Sequence, residues 1–497
     1  MASTDGLSKK DILAVLAITA AARLAYYVSG VYFDASTLGS YMQFIDTELL
    51  VTRLLESLWY YHANPPILNL FTGTVLKLFG DSSTIVFSLT FHMLGFLAAT
   101  ALFGLTLKLG RSRLMAFILT ALFVVSPSFV LYENWLMYTF PTMVLLLLSA
   151  FALLRFATTE STRWGFAFFA CLAAIALTRS MFHLAWVVVI TAGVFLVMRG
   201  QTKRIALFAV VPLLLVTGWY GKNYFLFGTF SASTWMGLGL SNITTLVVPK
   251  EDLAPLVENG TLSDYALISR YEDRDQLFYD VDVPAKAIPV LHNKLKSSGA
   301  HNFNYASLVE INKFYTRDAL QVARHFPSSY ATGVLISNRL FFSPGSMNLY
   351  FTVDNRVAAS PMERFYNPLI YGANFLPQHL EQPHYGFSGK YRIEVNTGLI
   401  LVITFPLVIL FGLIRLFMMY RDAAPDRRAS AIVLAYLLFN ILYIYALATF
   451  LELAENYRYR FIQEPLMLVV ISLLLGDLIR VLHRKRSEKT TKRLKTG

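Results

Sequence analysis

The sequence predicts an all-α, multi-pass membrane protein with about ten transmembrane helices, and three observations predict it. Hydrophobic residues make up 56% of the chain and charged residues only 15%, outside the range of a soluble globular protein. Apolar runs of about 18 to 24 residues recur, each long enough to cross a hydrocarbon core of roughly 30 Å as a helix, which excludes a barrel of short strands. The bases gather at the ends of alternate runs, as the positive-inside rule requires of cytoplasmic loops.

The runs lie at about 11–29, 84–107, 114–131, 135–154, 164–178, 182–198, 205–221, 397–420, 430–450 and 461–482. The stretch Ile67 to Phe79, about 13 residues between Pro66 and Gly80, is too short to span and suits an interfacial or re-entrant helix. With Lys9 and Lys10 inside, the cytoplasmic loops carry Lys108, Arg111 and Arg113, then Arg155 and Arg163, then Arg199, Lys203 and Arg204, then Arg421, Arg427 and Arg428. Counting the short helix as a span would put these bases outside. Both termini are therefore expected in the cytoplasm, of the plasma (inner) membrane in a bacterium or the endoplasmic reticulum in a eukaryote. The first ten residues lack the pattern of a cleaved signal, so the first run is expected to be a retained anchor.

This divides the chain into a seven-span membrane module (1–221) with an acidic first external loop, an extracytoplasmic segment (222–396), a three-span module (397–482) and a basic tail (483–497). In the long segment, Asn304 to Phe342 reads as two amphipathic helices broken near Pro327. The sequons Asn242-Ile-Thr and Asn259-Gly-Thr are glycan acceptors only in a eukaryote. No internal repeat is visible, which weighs against an inverted-repeat transporter. The single cysteine, Cys171, sits in an apolar run and excludes a disulfide framework or thiolate metal cluster. The formal charge of +12 is spread over helix ends and the tail, which suits anionic lipid rather than nucleic acid.

Chemistry-bearing residues concentrate at the external ends of the spans. Between Val31 and Asn69 stand four carboxylates, Asp34, Asp46, Glu48 and Glu56, against one base, Arg53. Asp34, a few residues past the first span, is placed to take a proton from an attacking hydroxyl, or more simply to cap the helix beginning near Ser36. Glu133, in a short turn between two spans, would be a second carboxylate on the same face, orienting a nucleophile or sharing a divalent ion (Mg or Mn) with Asp34. The alternative is an exposed turn residue. Asp46 and Glu48 bind substrate or form the solvated face of an amphipathic helix. The run His62-Ala-Asn64-Pro-Pro fixes an extended entry to the short helix and holds His62 and Asn64 near the acids. Arg179, Lys222, Arg458 and Arg460 stand at external span ends, where they bind a lipid phosphate or snorkel to headgroups. His92 and His183 have no metal-ligand spacing and read as core or interface residues. Arg23, inside the first span, calls for a partner within the bundle.

Several of these features resemble the GT-C glycosyltransferases, in particular protein O-mannosyltransferases and the ArnT-like aminoarabinose transferases of lipid A (glycosyltransferase family 39/83 type). They are Phe33-Asp34 after the first span, the acidic loop ending His62-Ala-Asn-Pro-Pro-Ile, the short helix ending Leu78-Phe79-Gly80, Tyr132-Glu133, and Glu455-Asn-Tyr-Arg-Tyr-Arg-Phe. The resemblance covers roughly residues 11 to 221 and the closing turn, and the middle segment only in placement. It departs where Asp34 is followed by Ala35, the mannosyltransferases often having an acidic pair there. It implies a GT-C fold and an inverting transfer, on the extracytoplasmic face, of a sugar from a polyprenyl-phosphate donor to an acceptor glycan, lipid or protein. It further implies that Asp34 is the base and that Arg179, Lys222 and Arg458 or Arg460 receive the leaving phosphate. A lipid-linked glycan ligase of the same fold class, and a secondary transporter or lipid flippase, are the competing readings.

Overall fold

The computed structural model describes residues 7–109, 111–268, 274–279, 288–373, 378–379, 394–421 and 425–496, and no side chain beyond 483. All ten apolar runs are helical: Lys9–Val28, Ser83–Lys108, Arg113–Val124, Thr139–Thr159, Thr162–Ala176, Leu184–Val197, Thr202–Phe227, Leu399–Tyr420, Pro425–Phe450 and Asn456–Thr496. The side chains of Arg427 and of the basic tail after 483 lie outside the described residues. Among the described residues seven helical stretches are long and apolar enough to cross a bilayer, and an eighth if a bent pair is counted as one span. The chain is an all-α, multi-pass membrane protein.

Local sequence explains the departures from uniform spans. The expected run 114–131 breaks after Val124, because Ser126 accepts the amide of Phe129 and Pro127 occupies the first position of a new helix, Pro127–Glu133, bent by 60° from the first. The next span begins at Thr139 rather than near 135, because residues 134–136 are used otherwise. The Asp34 amide donates to the Asn134 carbonyl at 2.8 Å and the Leu136 amide to the Asp34 carbonyl at 2.9 Å. Thr162–Ala176 and Leu184–Val197 are short, at 15 and 14 residues, because the polar turn holding Arg179 separates them. The Ile67–Phe79 helix forms as expected and joins Ser83–Lys108 through one tight turn, where Gly80 adopts φ 49°, a conformation costly for a residue with a Cβ.

One hydrophobic core runs through the bundle from Val15 to Leu473 and takes in Leu38, Phe44 and Leu50 of the first external loop. Polar contacts fix helices within it: Trp186 donates to Asn440 at 3.0 Å, and the Ser149 and Tyr436 hydroxyls meet at 2.6 Å. The extramembrane segment contributes Met236–Ile243, Lys250–Glu258, Ser307–His325 and Pro327–Phe341, packed around two smaller apolar clusters, and Val353–Tyr366, whose Ala359 joins the bundle core. The two amphipathic helices expected on either side of Pro327 are present. Two-residue strands, Gln378–His379 and Glu394–Val395, pair antiparallel.

The partner that Arg23 needs is Glu133, at 2.7 Å, with the carboxylate fully buried and the guanidinium 4.9 Å from the Phe129 ring. Gly95 makes room for it, since a Cβ there would fall 1.7 Å from the Glu133 Oε1. A charge left alone at such a place costs far more than the pair itself gains. Arg23→Ala should therefore lower unfolding free energy in micelles by about 3–5 kcal/mol. Adding Glu133→Leu should recover part of that loss; a single variant as stable as the parent would show the pair to be inert.

Candidate active site

The five-residue turn 451–455 links the Pro425–Phe450 and Asn456–Thr496 helices and builds one wall of a cavity. Ala454 sits at φ 105°, a strained conformation for a residue with a side chain, and Asn456 holds it there. The Asn456 Oδ1 accepts the Ala454 amide at 3.1 Å, while its Nδ2 donates to the carbonyls of Ala448 and Glu452. The turn thereby directs Glu452, Glu455, Arg458 and Tyr459 into a cavity of about 870 Å³. Its other walls are Tyr41 and Asn64 of the first external loop, Tyr138, the turn carrying Ser180 and His183, and, from the extramembrane segment, Ser233 to Leu240, Phe303, Tyr350 and Arg356. The cavity thus lies where the ends of the spans meet the extramembrane segment.

Arg458 dominates its electrostatics. The side chain is buried, its Nη1 donates to Glu455 at 2.6 Å and its Nε to the Thr139 hydroxyl at 3.2 Å. Its guanidinium lies 5.3 Å from the Trp135 ring and 5.4 Å from Tyr138, while Nη2 has no hydrogen-bond partner. Arg179 lies 4.3 Å over the Tyr459 ring and 5.1 Å from Tyr138, both cavity residues, and its Nη1 is also unpartnered. The Asn64 amide, on the wall itself, stands beside the Tyr61 hydroxyl. Buried donors left unmade cost about 1–3 kcal/mol each, more when charged, so the open Nη2 of Arg458 on the wall, with Arg179 behind Tyr459 and Tyr138, suits an anionic oxygen ligand.

The structure places the other expected residues elsewhere. Asp34 is half-buried, and one of its oxygens accepts the Ser36 amide at 2.9 Å in a local turn; the helix Thr37–Ser40 that follows has Ser36 as its N-cap and no side-chain cap bond, so Asp34 does not cap it. It does not line the cavity; its backbone pairs with Trp135, whose indole packs 6.2 Å from the Tyr41 ring of the cavity wall. Glu133 leaves the same pairing in another direction, into the bundle and onto Arg23. A divalent ion shared by these two carboxylates does not fit, since it would have to displace or sit against a guanidinium. Among the described residues no cluster of three His, Cys, Asp or Glu side chains has metal-holding geometry.

His62, Asp46 and Lys222 are joints between segments rather than cavity groups. The Asn304 Oδ1 accepts the amides of His62 and Ala63, and the His62 ring contacts the Thr234 hydroxyl at 2.8 Å and the Asn304 carbonyl at 3.0 Å. Asp46 caps Thr47–Thr52 and accepts both the amide and the hydroxyl of Ser297, at 2.8 and 2.5 Å. Lys296 beside it donates to the Tyr41 carbonyl at 2.6 Å, and burial pulls its ammonium pKa down to about 8. Glu48 is exposed. Lys222 donates to the Tyr61 carbonyl at 2.6 Å and lies 3.6 Å over the Trp219 ring. Arg460 is engaged by Glu464 at 3.1 Å and the Ser343 carbonyl at 3.3 Å; its Nη2 is unpartnered among the described residues, as in Arg458, but Arg460 does not line the cavity.

Sequence reasoning missed Glu452, Arg356 and His183 as cavity residues. The acid in the closing turn was the one available signal; nothing local marks Arg356, which arrives from a helix more than a hundred residues earlier. Of the two sequons, Asn242 is fully buried and donates to Glu452 at 3.1 Å, so the folded chain cannot present it as an acceptor, whereas Asn259 is exposed.

No known family's sequence profile matches this chain, and no curated protein matches it. Among solved structures it is similar to ArnT from Cupriavidus metallidurans bound to undecaprenyl phosphate, at 15% identity over 87% of this chain and 77% of that one, with a TM-score of 0.35. The apo state of the same protein gives 14%, 88%, 77% and 0.33. At this distance no residue takes its role from the alignment.

His62 makes a pH dependence testable. Its pKa is pushed down to about 3, first by burial and second by the nearby Lys222 charge, against about 6.5 when unfolded. The unfolded chain binds the extra proton between those values, so this contribution is fully present above pH 6.5 and is lost by about 1.4 kcal/mol per unit as pH falls below it. Unfolding measured from pH 7.5 to 4.5 should slope more steeply for the parent than for His62→Gln; parallel slopes would contradict the assignment.

Proposed function

We propose that this protein is an integral-membrane glycosyltransferase of the GT-C type, transferring a sugar from a lipid-phosphate donor, of the polyprenyl-phosphate class, to an acceptor hydroxyl. The observation that carries the reading is the buried guanidinium of Arg458, whose Nη2 has no partner among the described residues, on the wall of a cavity at the junction of the bundle and the extramembrane segment, with Arg179 behind Tyr459 and Tyr138 of the same wall. A phosphodiester presented from the lipid supplies the missing acceptors, and the aromatic side chains Tyr41, Tyr138, Tyr350 and Trp235 offer flat faces to a sugar ring. The alternation of basic loops supports an extracytoplasmic cavity with both termini in the cytoplasm.

In the proposed reaction the acceptor oxygen bonds to the anomeric carbon as that carbon's bond to the phosphate oxygen breaks. The electron pair leaves on the lipid phosphate, where Arg458 meets the growing charge, and the acceptor proton passes to a carboxylate. In this proposal that proton goes to Asp34, the acid the sequence singles out, which stands outside the cavity wall with its backbone paired to Trp135. Its second oxygen has no hydrogen bond among the described residues, whereas Glu455 is tied to Arg458 at 2.6 Å and so is a poor base that serves to orient the guanidinium. Glu133, held by Arg23, is a positioning residue: it fixes the end of the helix whose next residues pair with Asp34.

Two substitutions separate these roles. Asp34→Asn should reduce sugar transfer at least about a hundredfold while donor lipid still co-purifies, and Arg458→Ala should strip the co-purifying phospholipid donor. Normal turnover by the first variant would remove Asp34 from the mechanism; accumulation of substrate in proteoliposomes without covalent transfer would replace the enzyme by a transporter or flippase.

A further inference from the structure

The Val353–Tyr366 helix carries a stripe that none of the described residues covers. Val353, Val357 and Phe365 recur at helical spacing, followed by Leu369, and they are 75, 64, 78 and 74% exposed. Its opposite face is buried through Asn355 and Ala359, and Arg356 turns toward the cavity. An apolar stripe of this size is costly in water and marks a surface that meets something apolar.

Its position says what that is. Asn355 brackets the backbone of Tyr32, accepting its amide at 2.9 Å and donating to its carbonyl at 2.8 Å. Ala358 packs 3.5 Å from where a Cβ on Gly30 would lie, so the start of the helix rests on the external end of the Lys9–Val28 span. At its other end the Tyr366 hydroxyl donates to the Leu122 carbonyl at 2.8 Å, inside the Arg113–Val124 helix, and Gly372 then abuts Ile400 at the head of the Leu399–Tyr420 span. The helix is therefore moored at both ends to spanning helices at membrane depth. The stripe continues exposed side chains on those spans, Tyr27, Val28 and Tyr32 on one side and Leu399, Ile400 and Ile403 on the other. Asp354 in the first turn and Arg364, the exposed charges on this face, lie toward the helix ends, where an acid suits the helix N-terminus and a long arginine reaches headgroups.

We infer that Val353–Tyr366 is an interfacial helix seated in the lipid leaflet on the cavity side, its stripe covered by acyl chains. At 14 residues it lies along the leaflet over about 21 Å rather than crossing it. It is a wall one helix thick between lipid and cavity, with Arg356 on the inner side.

The test uses the full chain with Cys171→Ala, and a single cysteine introduced by Val357→Cys, Phe365→Cys or, as a water-facing control, Glu258→Cys. Each is labelled with the environment-sensitive fluorophore NBD and reconstituted into phosphatidylcholine vesicles. Labels at 357 and 365 should emit to the blue of the label at 258, be quenched by lipids brominated on their acyl chains, and resist aqueous iodide; the label at 258 should show the reverse. Iodide quenching at 357 and 365 equal to that at 258 would overturn the inference. Protection from both quenchers would do so too, by showing that a second protein surface, and not lipid, covers the stripe.

Discussion

A guanidinium taken out of water at the end of a membrane bundle must be answered on every side, and Arg458 is answered on all but one. Glu455 neutralises it, Thr139 orients it, and Trp135 and Tyr138 flank it. Each of those partners is placed by a different part of the chain: the strained turn at Ala454, the start of the Thr139 span, and the residues paired with Asp34. The site is therefore a property of the assembled bundle. In the proposed reading an anionic oxygen satisfies the open N–H groups of the Arg458 Nη2, recovering a desolvation cost already incurred in folding.

Other polar side chains near the cavity hold the extramembrane segment against the first external loop. Asn304 clasps His62 and Ala63, Asp46 clasps Ser297, and Lys296 reaches the Tyr41 carbonyl. These contacts seat the roof on the spans and keep Tyr41 and Asn64 on the wall. The same chemistry that makes a residue look catalytic in a sequence, a carboxylate or imidazole beside a span, here serves mainly to lock two segments in register.

The spans were legible because each is a long, continuous apolar run bounded by charge, and the two helices around Pro327 because their apolar residues fall three and four apart. The requirement that Arg23 find a partner was legible as well, but the partner was not. Glu133 reads as a second carboxylate on the outer face, or at least an exposed turn residue, until Ser126 and Pro127 start a new helix that folds it inward onto the Gly95 gap. Lys222 and Arg460 carry the right charge at the right depth, yet local carbonyls and Glu464 absorb them, which depends on packing no local pattern records. Arg458 was visible in the closing turn, whereas Arg356 and His183 reach the cavity only through contacts between distant segments.

The central claim is that a lipid phosphate occupies the cavity beside Arg458. It is tested most directly by photo-crosslinking the full-length protein in its membrane with a polyprenyl phosphate carrying a diazirine next to the phosphate, and mapping the labelled peptides. Labelling should concentrate in the segments 349–356 and 447–459 and be displaced by unlabelled polyprenyl phosphate. Displaceable labelling confined to other surfaces of the bundle would contradict the account.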